Sequence, residues 1–172
     1  QRRYVEKPDI SYSRIADRLK HSFRLLFKRR YGYSVLDYPL FEDSKVTQFD
    51  TLAIRGNYND SWHHYEGRNV GERNFIRDEY SRRSQLAMGQ PASHGTFVHL
   101  YLNGLYWGLY NICERPDDNF AASYFGGNQE DYDAISSGTR NTYQTQVKGG
   151  TKEAWEAMMA LASQGGFRDN AR

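Results

Sequence analysis

The residues of this chain that could do chemistry fall into a few short groups. Lys28-Arg29-Arg30 sets three cations side by side. Such a run can grip phosphate, and more often it is a solvated strand edge that lysine keeps from aggregating. His63, His64 and Glu66 offer nitrogen and oxygen ligands, but adjacent histidines rarely converge on one ion and no helical i, i+4 pair is present, so a polar loop explains them better than a metal. Asp78 with Arg82 and Glu79 with Arg83 stand at i, i+4. Pairs of that spacing are ordinarily surface ion pairs worth a few tenths of a kcal/mol. Asp131-Tyr132-Asp133 puts two carboxylates on one side of an extended segment, which binds Mg²⁺ or Ca²⁺ only when other oxygens converge. Cys113 is alone, so an intrachain disulfide or a cysteine cage is excluded. No P-loop and no Gly-x-Gly-x-x-Gly segment occurs.

The element best placed to organise these groups is a hairpin across Asn103-Gly104. Asn-Gly between aromatic and branched runs is a strong hairpin signal, because a type I′ turn needs positive φ at both central residues. With that turn, Leu102 faces Leu105, Leu100 faces Trp107 and Val98 faces Leu109, which gives an aliphatic face expected in the core. The other face carries Tyr101 against Tyr106, His99 against Gly108 and Phe97 against Tyr110, and is the expected working face. Gly108 inside a strand marks either close approach by a ligand or backbone, or a plain bulge. Glu114-Arg115-Pro116-Asp117 then ends the pairing, since proline has no N–H for a ladder.

Residues 1–19 form a basic, polar leading arm. Lys20 to Lys28 alternate as a half-buried strand with Phe23, Leu25 and Phe27 inward, and Thr51 to Arg55 form a second with Leu52 and Ile54 inward. A helix follows, beginning near Asn69 or Asn74 and stopped by Gly89 and Pro91. Its thin apolar stripe is Ile76, Tyr80 and Ala87, widened by Phe75 and Leu86. Asp118 or Asn119 starts a short helix that ends at Gly126-Gly127. Ser136 to Gly150 read as a polar, glycine-rich loop or linker. Thr151 caps a last amphipathic helix with Trp155, Met158 and Leu161 on its apolar face.

At 172 residues the chain is long enough for a real core, and 26% charged residues with a net charge of +2 argue against a dedicated nucleic-acid binder. No apolar run approaches a membrane span. Starting at Gln1 rather than Met, the sequence reads as a piece of a longer protein, in which case Trp155, Met158 and Leu161 should be poorly covered. Aromatic content of 15% suits a surface or sugar-binding protein as well as an enzyme.

The hairpin segment Tyr-Leu-Asn-Gly-Leu-Tyr-Trp-Gly-Leu-Tyr, followed by Glu-Arg-Pro-Asp, resembles the spore-coat CotH family of atypical, protein-kinase-like proteins. Lys20 through Phe27, Tyr38-Pro39-Leu40-Phe41, Leu52-Ala53-Ile54-Arg55-Gly56 and Ile76-Arg77-Asp78-Glu79 resemble further blocks of that family in order. The likeness runs from Lys20 to the helix near Trp155.

This resemblance implies an α+β fold: an antiparallel sheet with packed helices, like the smaller lobe of a protein kinase plus the start of the larger lobe. Residues 20–117 would be the small lobe to its hinge, and 118–172 the truncated start of the larger one. In such a lobe a strand base holds nucleotide phosphates, a helix glutamate orients it, and the segment after the last strand meets adenine. Lys20 or Arg55 would be that base and Glu79 its partner, turned toward the sheet within salt-bridge reach of one of them. Glu114 and Arg115 would lie at the hinge. The implied cofactors are ATP and Mg²⁺, the implied partners a protein substrate and the rest of the larger lobe, and the setting a cell surface, secreted or spore-coat one. None of the residues after Glu114 resembles the catalytic-loop or metal-binding acids of kinases, so this chain alone should not turn over. The competing reading is a non-catalytic surface module that binds glycans through Tyr- and Trp-rich faces.

Overall fold

Alternating strands and one mid-chain helix fold into an α+β structure in the computed structural model, which describes residues 20–57, 60, 74–139 and 142–165. The leading arm, the His63, His64 and Glu66 group and the helix start at Asn69 lie outside the described residues. The chain divides between Arg115 and Pro116 into two compact units.

In the first unit, β1 (Phe23–Leu26), β4 (Thr51–Arg55), β5 (Gly95–Leu102) and β6 (Leu105–Glu114) form one antiparallel sheet in the order β1-β4-β6-β5. Two-residue strands β2 (Leu36–Asp37) and β3 (Gln48–Phe49) pair separately, and helix α1 (Arg77–Ala87) joins β4 to β5. Strand alternation does the sorting: Leu52 and Ile54 point to one face, where they bury with Phe41, Phe49, Tyr110 and Ile112. Phe23 and Phe27 pack against this cluster as the alternation predicts, whereas Leu25 is left exposed on an edge strand.

Asn103 and Gly104 take φ of 51° and 80°, the positive values a type I′ turn requires, and Leu102 pairs with Leu105 and Tyr101 with Tyr106. Beyond that point the register slips by one. Leu100 faces Gly108 rather than Trp107, and Val98 faces Tyr110 rather than Leu109. The reason is a β-bulge on β6, where Trp107 is left without a partner across the ladder between Tyr106 and a Gly108 held at φ 113°. The bulge reverses the parity of β6. Tyr110 becomes fully buried in the core, while Leu105, Trp107 and Leu109 are exposed, so the expected aliphatic face is only half right.

The second unit contains α2 (Asp118–Phe125), β7 (Ala134–Thr139), β8 (Thr142–Gly149) and α3 (Glu153–Ser163). The carboxylate of Asp117 caps α2 by accepting from the Phe120 N–H at 3.2 Å. The stretch expected as a loop or linker is instead the hairpin β7–β8. Its threonines, Tyr143 and Val147 favour a pleated backbone more than its glycines oppose one. Asp131 accepts from the Asn128 N–H and Asp133 from the Thr151 N–H, so both acids of the Asp-Tyr-Asp segment tie down backbone. On α3, Trp155 is half-buried and Met158 and Leu161 are exposed.

Candidate functional site

The arrangement with the most chemical content lies under α1. Asn74 starts the helix: its side-chain oxygen accepts from Ile76 N–H at 3.1 Å and its carbonyl from Arg77 N–H. Gly89 at φ 74° ends it. The apolar stripe does not set which side faces the sheet. Ile76 and Tyr80 are exposed, Tyr80 by 70%, and the residue buried beneath the helix is Glu79, 4% exposed.

Glu79 is fully engaged. Oε2 accepts from Arg82 at 2.8 Å and from the Asn111 amide at 3.0 Å; Oε1 accepts from Arg83 Nε at 2.8 Å. Arg82 also bonds Asn111 Oδ1, and the Asn111 amide reaches the Thr96 carbonyl at 3.1 Å. Burial alone would raise the Glu79 carboxyl, but the hydrogen bonds from Arg82, Asn111 and Arg83 outweigh it and hold the group below the usual carboxylate range. The backbone makes room for this cluster at Gly95, where a Cβ would run into the Glu79 carboxylate. Beside it the Cys113 thiol is buried and pushed up by desolvation, an unreactive neighbour.

The two bases sit elsewhere. Arg55 closes β4 and pairs with Asp78, one residue before Glu79 on α1, in a partly exposed ion pair. Across the ladder Arg55 faces Asn111, the same asparagine that binds Glu79. Lys20 does not reach Glu79 either: its ammonium donates to the Leu109 carbonyl and lies 4.5 Å from the centroids of both the Phe75 and Tyr110 rings. Desolvation there lowers its pKa. Glu79 thus faces the sheet, but with Arg82, Arg83 and Asn111 as partners rather than Lys20 or Arg55.

The loop leaving β4 is tied to the helix start. The Asn57 amide donates to the Phe75 carbonyl at 2.9 Å, Arg77 pairs with Asp60, and Gly56 N–H donates to the Ser22 hydroxyl at 2.9 Å. Asn57 takes a φ of 46°, and its buried side-chain oxygen has no partner among the described residues. At the far end of β6, Glu114 is buried and accepts from both the backbone N–H of His94 at 2.8 Å and its ring Nδ1 at 3.1 Å. Arg115 follows, half-buried.

Sequence reading missed Asn111 and gave Arg82 the wrong partner, Asp78 in place of Glu79. A lone asparagine in Leu-Tyr-Asn-Ile-Cys was the signal for the first, and the i, i+3 spacing from Glu79 for the second. A comparison with protein families matches residues 13–166 to the family described as CotH kinase protein. The chain belongs to the CotH kinase family. Searches of curated proteins and of solved structures gave no match. For a CotH kinase family member, kinase function, with ATP and a metal in general use, is the family-level expectation. Among the described residues no three His, Cys, Asp or Glu side chains converge as metal ligands, and Asp78 and Glu79 are committed to arginines. The described residues therefore do not fit a Mg²⁺ site by themselves.

Proposed function

We propose that residues 20–117 are the nucleotide-holding small lobe of an ATP-dependent protein kinase, with 118–172 beginning a larger lobe that supplies the acids for transfer to a protein substrate. The observation that carries this reading is the buried Glu79 on the helix between β4 and β5, one ladder partner away from the strand base Arg55. A buried carboxylate held by two arginines is a costly way to gain stability, so a positioning duty is the better reason for it. Leu52-Ala53-Ile54-Arg55 also occupies the strand before that helix, as the Val-Ala-Ile-Lys segment does in kinases, with arginine where kinases have lysine. In this reading Arg55, with Lys20 as the second base, holds the phosphates and neutralises their charge. Glu79 orients the base through Asn111, and Glu114 and Arg115 mark the segment that meets adenine. ATP supplies the phosphoryl group.

Calorimetric titration of MgATP into the full chain tests this. Arg55→Ala should weaken binding about tenfold or more, as loss of a charge-assisted contact does, with the circular dichroism spectrum unchanged. Unchanged affinity in that variant would move the role to Lys20, and the same result for Lys20→Ala would retire the phosphate grip. The second reading, a glycan-binding surface module, draws on Tyr101 and Tyr106, whose exposed rings stand 5.2 Å apart near the hairpin tip. Oligosaccharide binding without nucleotide binding would favour it.

A further inference from the structure

We propose that a groove between the end of β1 and β2 binds an acidic peptide segment through a single aromatic or aliphatic anchor residue. A cavity of about 630 Å³ opens between the end of β1 and β2, within the roughly 300–1,000 Å³ that ligand sites occupy. Its floor is Leu26, Phe27, Val35 and Leu36, of which Phe27 and Leu36 are anchored against the core. Tyr31 and Tyr33 flank the opening at 76% and 90% exposure, unusually open for residues of that size. Among the described residues β1 pairs only with β4, and Leu26 at its end and Leu36 on β2 both line the groove.

Charge decides the occupant. Lys28 lines the groove, and Arg29 and Arg30 follow it in a 3₁₀ turn. All three are exposed, and among the described residues none makes an ion pair. The acid in the lining, Asp37, already accepts from the Thr47 hydroxyl at 3.3 Å and the Gln48 amide at 3.2 Å. Arg30 lies over the Tyr31 ring, 5.3 Å from its centroid, which stiffens the rim. An apolar slot beside three unpaired cations is complementary to carboxylates flanking an apolar side chain. A chain of net charge +2 has little field for nucleic acid. The run at Lys28 thereby acquires a use beyond keeping an edge soluble.

Fluorescence anisotropy of a labelled Gly-Glu-Glu-Phe-Glu-Glu-Gly peptide against the full chain, without nucleotide, tests the proposal separately from the phosphate reading. Saturable binding is expected. It should weaken about tenfold when the peptide's Phe becomes Ala or when Tyr31→Ala removes a wall, the loss typical of a binding hot spot. It should be lost in the Arg29→Glu/Arg30→Glu variant, whose exposed positions leave the fold intact by circular dichroism. No saturable binding would overturn the proposal. So would equal binding of the Ala peptide, survival of binding in the charge-reversed variant, or displacement of the peptide by oligothymidylate at equal or lower concentration.

Discussion

On one face of β4, Leu52 and Ile54 bury against Phe41, Phe49, Tyr110 and Ile112, with no charged group in the cluster. The opposite face, a side chain's thickness away, presents Asn111 and Cys113 to Glu79, Arg82 and Gly95 beneath α1. The apolar face is held by area removed from water, and many hydrophobic side chains of similar volume would serve there. The polar face admits few alternatives. Each carboxylate oxygen and each amide group has an assigned partner, and removing one strands another in a low-dielectric space. Stability accordingly comes mainly from the first face and specificity from the second, which is why the functional proposal rests on the second.

The largest expected effect breaks the polar face. Glu79→Ala should destabilise the first unit by about 4 kcal/mol, because Arg82 would then be buried without its carboxylate. Urea unfolding measures it. Replacing Glu79 and Arg82 together by Leu and Met should restore part of that stability, Asn111 Oδ1 still lacking its donor, while leaving no group to orient Arg55. A double variant as unstable as the single one would show that the ion pair itself supplies stability, and the contrast between the faces would fail. Leu52→Ala comes next, at about 3 kcal/mol, from lost transfer energy plus the cavity left beside Tyr110 and Ile54.

A pH series sharpens the same contrast. The Glu79 carboxyl is held below its ordinary 4.5 in the folded chain, so the stability it contributes is fully present above that value and is lost as pH falls through the folded pKa. The gap in urea midpoint between the unmodified chain and Glu79→Gln should therefore narrow below pH 4.5. The gap for Leu52→Ala should stay level, since no proton is linked to it. A Glu79→Gln gap that stays constant into acid would mean its hydrogen bonds do not favour the charged form.

The sequence reading succeeded where a residue's identity dictates local geometry. Thr51 to Arg55 alternates cleanly and Leu52 and Ile54 are inward; Asn103-Gly104 supplies the turn; Gly89 stops the helix. It failed where a tertiary partner decides. The bulge at Trp107 cannot be placed from pairing rules alone, and that one extra residue sends Tyr110 into the core and Leu109 out. On α1 the stripe of Ile76 and Tyr80 lost to Glu79, because the sheet beneath offers the Asn111 amide and room at Gly95 for its carboxylate. Glu79 was singled out by the family resemblance, its spacing to Arg83 reading only as a surface pair, and its ties to Arg82 and Asn111 required knowing which strands meet.

The smallest expected effect distinguishes the two arginines that share Glu79. Arg82 is largely enclosed, with 14% of its side chain exposed, and it bonds both Glu79 and Asn111. Arg83 is 55% exposed and reaches outward as well, to the Gly95 carbonyl at 3.2 Å and toward Asp43 at 3.8 Å. Water can replace Arg83 at the Glu79 Oε1 edge, and solvent screens its charge, so Arg83→Ala should cost no more than about 1 kcal/mol in urea unfolding. Arg82→Ala, which leaves Glu79 Oε2 and Asn111 Oδ1 short of a donor, should cost several times that. Equal losses for the two would mean that sequence spacing, rather than enclosure under α1, sets what a pair with Glu79 is worth, and the line drawn between the two faces of the sheet would have to be redrawn at the helix surface.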